Sequence, residues 1–320
     1  MVEGYTYEFY EKAALYIKEC IIKAGKKIPN LAVVLGTGCA PFAERLEKTI
    51  SIPYGDIPGF PVATNPSHKG ELVIGRMGGA KGKDIICMNG RMHFYEGYSM
   101  EELNIPVHVL HVLGVKALVL TNAAGSCNPR MKPGDAVVIK DHIKLYGGSP
   151  VRGPNVPELG PRFFSVKDIY TKSLRTKALE LAAKAELKVH EGVYMFFPGP
   201  QFETASEIRA AQILGADIVG MSTVTEALTA AHCGMKLFGL ALVTNMATGV
   251  DEEANPTRGA NCDICDMEEA DEVDEVDAVA ARAAASFSDY LEAVVTSFIE
   301  TNSIGTKGGM ICPFFSRMQR

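Results

Sequence analysis

No stretch of the 320-residue sequence stays apolar for long enough to span a bilayer as a helix, and this excludes a helical membrane protein. The N-terminal MVEGYTYEFYEKAALYIKEC lacks the basic start and apolar centre of a secretion signal. No cluster of Lys and Arg is interleaved with aromatics, so neither a membrane nor a nucleic acid is expected as a partner. Without a secretion signal, the eight cysteines read as reduced thiols of a cytoplasmic protein. Cys262 and Cys265 form a lone CxxC; a zinc site of the common kind needs a second pair, so no metal is expected. The glycine turn GTGCAPF (36–42) lacks both the GK[ST] of a Walker loop and the third glycine of a dinucleotide fingerprint. GMSTV (220–224) is not a G-x-S-x-G elbow, so no enzyme nucleophile stands out.

What is present is an ordinary globular composition, 47% hydrophobic and 22% charged, sufficient for a large core. The net charge of −6 is unevenly placed. Residues 251–277 hold twelve acidic residues and one Arg, and the remainder carries +5. Such an acidic run reads as a solvated, mobile loop, while the mildly basic body tolerates an anionic substrate.

Apolar, β-branched runs predict strands at 31–36, 71–77, 83–90, 115–122, 135–141, 190–197, 216–222 and 236–245. Helical spacing occupies 8–25, 100–113, 168–187, 203–214, 225–233 and 275–300. The alternation implies an α/β fold: one domain with a central mixed, mostly parallel β-sheet flanked by helices. The domain is expected to run over 1–302, with an acidic insertion at about 251–277 and a C-terminal tail at 303–320.

In such sheets ligands sit beyond the carboxyl ends of the strands. The residues there are small, hydroxylic, amide or glycine: GTG (36–38), NGRMH (89–93), TNAAG (121–125), PGPQFET (198–204), GMST (220–223) and TN (244–245). In GRMHFYEGY (90–98), Arg91, His93 and Tyr95 alternate, and an extended chain would bring them to one face. A guanidinium, an imidazole and a phenol together suit an oxyanion and a hydroxylated ligand. An edge strand with a solvated polar face would show the same alternation.

Taken in this order, with IPYGDIPGFP, GDAVVIKDHI, RGPN, LGADIVGMSTVTE and HCG, the chain resembles purine nucleoside phosphorylases of the trimeric, low-molecular-mass class. The resemblance implies that Thr37, Arg91, His93, the backbone at Ala123, and Ser222 bind phosphate, with His68 near that pocket. It places Tyr95 and Met221 against a ribose and brings Phe163 from a neighbouring subunit of a homotrimer. Phe202, Glu203, Val219, Gly220, Thr244 and Asn245 would hold the base, with Asn245, Glu203 and His93 as the catalytic groups.

The implied reaction is phosphorolysis of 6-oxopurine nucleosides such as inosine and guanosine, with inorganic phosphate as co-substrate and no cofactor. Two alternatives stand beside it: an enzyme acting on 5′-methylthio nucleosides, and a non-catalytic nucleoside binder. The binder should have lost its phosphate donors, and they are all present. The family commonly places a histidine near the start of the final helix, on the 5′-hydroxyl of the sugar. Here the seven histidines end at His232, and alignment of the helix sets Val273 at that place to within several residues. The expectation is a relaxed 5′ pocket that tolerates 5′-deoxy or 5′-methylthio sugars; water or an acid of the insertion could equally replace the histidine.

Overall fold

The computed structural model describes residues 5–65, 68–79, 82–250, 270–301 and 303–304, and within 270–274 the course of the backbone alone. Among the described residues there are nine strands: β1 (Leu31–Leu35), β2 (Glu47–Pro53), β3 (Glu71–Met77), β4 (Lys83–Asn89), β5 (Ala117–Ser126), β6 (Ala136–Lys144), β7 (Val189–Phe196), β8 (Ile218–Gly220) and β9 (Lys236–Met246). Six α-helices accompany them: α1 (Tyr7–Lys23), α2 (Ile105–Leu113), α3 (Lys172–Ala182), α4 (Ala205–Leu214), α5 (Val224–His232) and α6 (Ala270–Glu300).

The strands form one sheet in the order β2-β3-β4-β1-β5-β8-β7-β6-β9, and β9 also pairs with β5. The strands β5, β8, β7, β6 and β9 therefore close on themselves, and β1, β4, β3 and β2 extend from this ring. Five pairings are parallel and four antiparallel, so the sheet is mixed with a slim parallel majority.

The continuous apolar runs reflect burial on both faces. In β1, Ala32 and Val34 join the core beneath α1 and α2, while Leu31, Val33 and Leu35 join the core beneath α3 and α6. Helix α1 buries Tyr10, Ala13, Ala14, Ile17 and Ile21, the three-and-four spacing of a single helical stripe. Helix α6 contributes Phe287, Leu291, Val294 and Phe298 to the opposite core.

Three expectations need correction. Strand β2 carries no apolar run, because only Ile52 of its seven residues is buried; it lies at the sheet edge, where pairing with β3 defines it. Helix α6 begins at Ala270 rather than near 275, so the last part of the acidic run 251–277 is helical and not a loop. Acidic residues are favourable in a first helical turn, which faces the positive end of the helix dipole. Strand β4 ends at Asn89, and Phe94–Glu96 form a 3-10 turn that interrupts the alternation through Tyr95. Residues 251–269, with Cys262 and Cys265, and the tail beyond 304 lie outside the described residues. Among the described residues no helix is long and apolar enough to cross a membrane.

Burial holds several imidazoles in their neutral form, His68, His111 and His142 among them. It pushes these three from their ordinary value down to about 4. Unfolded, these groups take up protons near pH 6.5, before the folded protein does. Their contribution to stability is thus complete above that pH and is lost as the pH falls toward 4. Each can contribute a slope of up to ~1.4 kcal/mol per pH unit. Urea unfolding at pH 7.5 and pH 5 should show a marked loss of stability at the lower pH; equal midpoints would contradict the neutral burial of these histidines.

Candidate functional site

The carboxyl ends of β1, β4, β5, β8 and β9 open into one cleft. Gly36 and Thr37 follow β1, Arg91 and His93 follow β4, and Asn122–Gly125 lie in the last part of β5. Phe202 and Glu203 precede α4, Met221 and Ser222 follow β8, Thr244 and Asn245 end β9, and Val276 comes from α6. A side chain at Gly36 would place its Cβ 2.7 Å from Thr121 O and 3.2 Å from the Arg91 guanidinium, so the close passage of β1 past β5 requires glycine. The Thr121 hydroxyl ties the two strands there, accepting from Gly36 N at 3.2 Å and donating to Val34 O at 2.9 Å.

Arg91 is the central group. It is only 2% exposed, and its Nε donates to Glu226 Oε1 at 2.9 Å. Its Nη1 donates to Thr121 O at 2.6 Å and to Ser222 Oγ at 3.2 Å. Its Nη2 has no hydrogen-bond partner among the described residues. A buried guanidinium with one unengaged donor at a cleft is a seat for an oxyanion.

His93 is oriented by Glu96. Glu96 Oε1 lies 2.9 Å from His93 Nδ1 and accepts from His93 N at 2.8 Å, while Oε2 accepts from Thr64 N and Thr64 Oγ1, both at 2.6 Å. Burial raises the Glu96 carboxyl, but the hydrogen bonds from His93 and Thr64 outweigh it and hold the group at about 2. An ionised carboxylate only accepts, so His93 Nδ1 carries the proton. His93 Nε2 is then left to exchange a hydrogen bond with a ligand.

Ser222 and Thr223 stand at the N-terminal end of α5, where amide groups and the helix dipole favour an anion. Thr223 holds φ 70°, a costly conformation for a β-branched residue. Asn122 Nδ2 donates to its hydroxyl at 2.9 Å, and Ser222 Oγ lies 3.1 Å from it. These bonds keep the turn that aims Ser222 and brings Glu226, in the first turn of α5, back onto Arg91.

The other end of the cleft suits a flat heterocycle. Phe202, Val219 and Gly220 form its apolar wall. A Cβ on Gly220 would meet Tyr194 Oη at 2.5 Å, so glycine is required for that wall to lie flat. Glu203 and Asn245 are both buried there. Thr244 Oγ1 donates to Asn245 Oδ1 at 3.1 Å, fixing the amide while one lone pair of Oδ1 remains available.

Of the residues singled out from the sequence, Thr37, Arg91, His93, Ala123, Phe202, Glu203, Val219, Gly220, Met221, Ser222, Thr244 and Asn245 all line this cleft. Three do not. Tyr95 stacks on His93 at 4.7 Å and stands close to the cleft residue Met221, since a Cβ on Gly199 would meet both side chains. His68 stacks on the other side of His93 at 5.2 Å, and its Nδ1 lies 2.7 Å from Arg91 O. Phe163 is 89% exposed on this chain and makes no part of its cleft.

The sequence reading missed Glu226 and Glu96, and it gave no separate role to Thr121, Asn122 and Thr223 of the stretches TNAAG and GMST. All but Asn122, which lines the cleft, act behind it, and the first-turn position of Glu226 is explained equally well by the helix dipole. At the start of the last helix the cleft residue is Val276; the side chain of Val273 lies outside the described residues.

A cleft of this make, beyond the strand ends of an α/β sheet, defines a class of enzyme that brings an oxyanion to a flat heterocyclic substrate. The chain belongs to the phosphorylase superfamily, whose family model matches residues 30–296. Within it, the chain is 44% identical over 240 residues to purine nucleoside phosphorylase 1 of Geobacillus stearothermophilus, covering 75% of this chain and 85% of that one. It is 41% identical over 252 residues to the purine nucleoside phosphorylase of Bos taurus, covering 77% and 84%. It superposes with a TM-score of 0.78 on the crystal structure of a Schistosoma purine nucleoside phosphorylase in complex with hypoxanthine, at 33% identity over 91% of this chain and 97% of that one.

Proposed function

We propose that this protein cleaves 6-oxopurine nucleosides by phosphorolysis, giving free base and ribose 1-phosphate. One observation carries the reading: a buried guanidinium with an unengaged donor and an oriented imidazole share a single cleft with Glu203 and Asn245. Phosphate is seated by Arg91, His93, Thr37, Ser222 and the Ala123 backbone, with His68 and Tyr95 stacked on His93 to hold its ring. As the N-glycosidic bond stretches, the sugar gains positive charge at C1′ and the purine gains negative charge. The phosphate stabilises the sugar cation and then attacks C1′, so no enzyme nucleophile is needed. The electron pair of the broken bond stays with the base, which takes up at N7, by way of water, the proton that hydrogen phosphate gives up on forming the ester. Asn245 Oδ1 accepts from that N7–H while its amide donates to the 6-oxo group, and Glu203 accepts from N1–H. Met221 lies toward the ribose, between the two ends. The reaction as drawn uses no cofactor.

The exposure of Phe163 supports a homotrimer in which this ring completes a neighbour's cleft; the solution mass would then be three times the 34.5 kDa chain. The described cysteines are free thiols, in keeping with a cytoplasmic setting. Incubated with inosine or guanosine, the protein should release base only when inorganic phosphate is present, and adenosine should react far more slowly. Equal cleavage of inosine in phosphate-free buffer would mark a hydrolase and overturn the proposal.

A second, narrower reading rests on Val276. An isopropyl group at the cleft offers no hydrogen bond to a 5′-hydroxyl and suits a 5′-deoxy or 5′-methylthio group instead. One absent neutral hydrogen bond is worth about 0.5–1.5 kcal/mol, or roughly threefold to tenfold in preference. The ratio of kcat/KM for inosine to that for 5′-deoxyinosine should therefore stay within about tenfold, whereas a ratio of about a hundred or more would show strong recognition of the 5′-hydroxyl.

A further inference from the structure

We propose that His108, His232 and Cys233 form a binding site for a zinc-type divalent metal ion, apart from the cleft. One ligand atom from each lies within 4.8 Å of the others, and both histidines are at least nine-tenths buried, at 4% and 5% exposure. Both ring nitrogens of His108, and Nδ1 of His232, have no hydrogen-bond partner among the described residues. Buried polar atoms are rarely left so, because each forfeits its bond to water. Here three such nitrogens belong to two rings whose centroids are 5.9 Å apart, beside a thiol.

The donor set decides the ion. Two imidazoles and a thiolate suit Zn²⁺, whereas Mg²⁺ and Ca²⁺ need oxygen ligands, and no carboxylate belongs to this cluster. With bonds of about 2.1 Å to nitrogen and 2.3 Å to sulfur, tetrahedral ligands stand about 3.3–3.7 Å apart, so side-chain rotation of about 1 Å closes the site. The His232 ring is packed on its Nε2 side, which abuts Gly160, while its buried Nδ1 has no partner among the described residues. His232 is also the last residue of α5 and Cys233 its C-cap, the negative end of the helix dipole, which favours a cation. The remaining coordination position is left for water, next to Tyr10, whose ring packs edge-on against His108 at 4.9 Å.

Such an ion would tie α2 and α5 to the segment around Gly160. The opposite end of α5, about 9 Å along the helix from His232, carries the Glu226 that holds Arg91. The ion would therefore steady the element that positions the oxyanion seat, without taking part in the reaction.

The test uses the full chain after chelation, titrated with Co²⁺ as a spectroscopic substitute and with Zn²⁺ for thermal stability. Co²⁺ should give a thiolate-to-metal charge-transfer band saturating at one equivalent, and Zn²⁺ should raise Tm. Both effects should persist in a Cys262→Ser/Cys265→Ser variant and vanish in Cys233→Ser, a near-isosteric change. Should Cys233→Ser fold poorly, His108→Gln serves in its place, with the same loss expected. No band, a band that survives either change at the site, or a band lost with Cys262 and Cys265 would overturn the proposal.

Discussion

The ion pair between Arg91 and Glu226 is the constraint on which the cleft depends. A guanidinium cannot be taken out of water alone, and the cost of doing so exceeds what any one hydrogen bond returns. Glu226 offsets the charge through Nε, and Thr121 O and Ser222 Oγ engage Nη1. This leaves a fork that cannot swing and one buried donor with no partner among the described residues, beside the cleft. The pair joins residues 135 positions apart, so it also fastens the turn after β4 to the first turn of α5. Removing one partner of such a pair typically costs about 3–5 kcal/mol, because the other is left buried and uncompensated.

Other features serve the same placement. Gly36 lets β1 pass close to β5 and the guanidinium. Thr223 holds a strained turn so that Ser222 and Glu226 both reach Arg91. Glu96 does for His93 what Glu226 does for Arg91, at a smaller scale: it fixes the ring and selects the nitrogen that carries the proton. Two cationic or potentially cationic groups are thereby each held by a carboxylate behind the cleft, and their outward atoms remain for a ligand. The apolar wall and the buried amide of Asn245 sit one strand end further along. That spacing allows a single molecule to meet both ends.

Much of this was legible in the sequence, for a physical reason. Buried parallel strands must be apolar throughout, so β1, β4, β5 and β9 declare themselves, and the residues just past them are the ones a ligand can reach. Thr37, Arg91, His93, Ser222 and Asn245 stand in those stretches, and the resemblance to the nucleoside phosphorylases gave each its role. Glu226 was not, since an acid in a first helical turn has a local explanation and its partner is far away in the chain. Glu96 was hidden by the 3-10 turn that follows His93. Strand β2 was invisible because its residues are mostly exposed and only pairing with β3 makes it a strand. The closure of β9 onto β5 likewise depends on long-range pairing and leaves no local pattern. At the last helix the sequence reading set Val273, to within several residues across the acidic insertion, and the cleft residue Val276 falls inside that range.

The claim most exposed to test is that the immobilised fork of Arg91, rather than positive charge as such, seats the oxyanion. Arg91→Lys keeps the charge but cannot bridge Glu226, Thr121, Ser222 and a ligand at once. Calorimetric titration of inorganic phosphate into the wild type and into a folded Arg91→Lys variant measures this directly. A fall in phosphate affinity of about tenfold or more, as expected for the loss of a charge-assisted hydrogen bond, is the predicted result. Equal affinity in the two proteins would contradict the account.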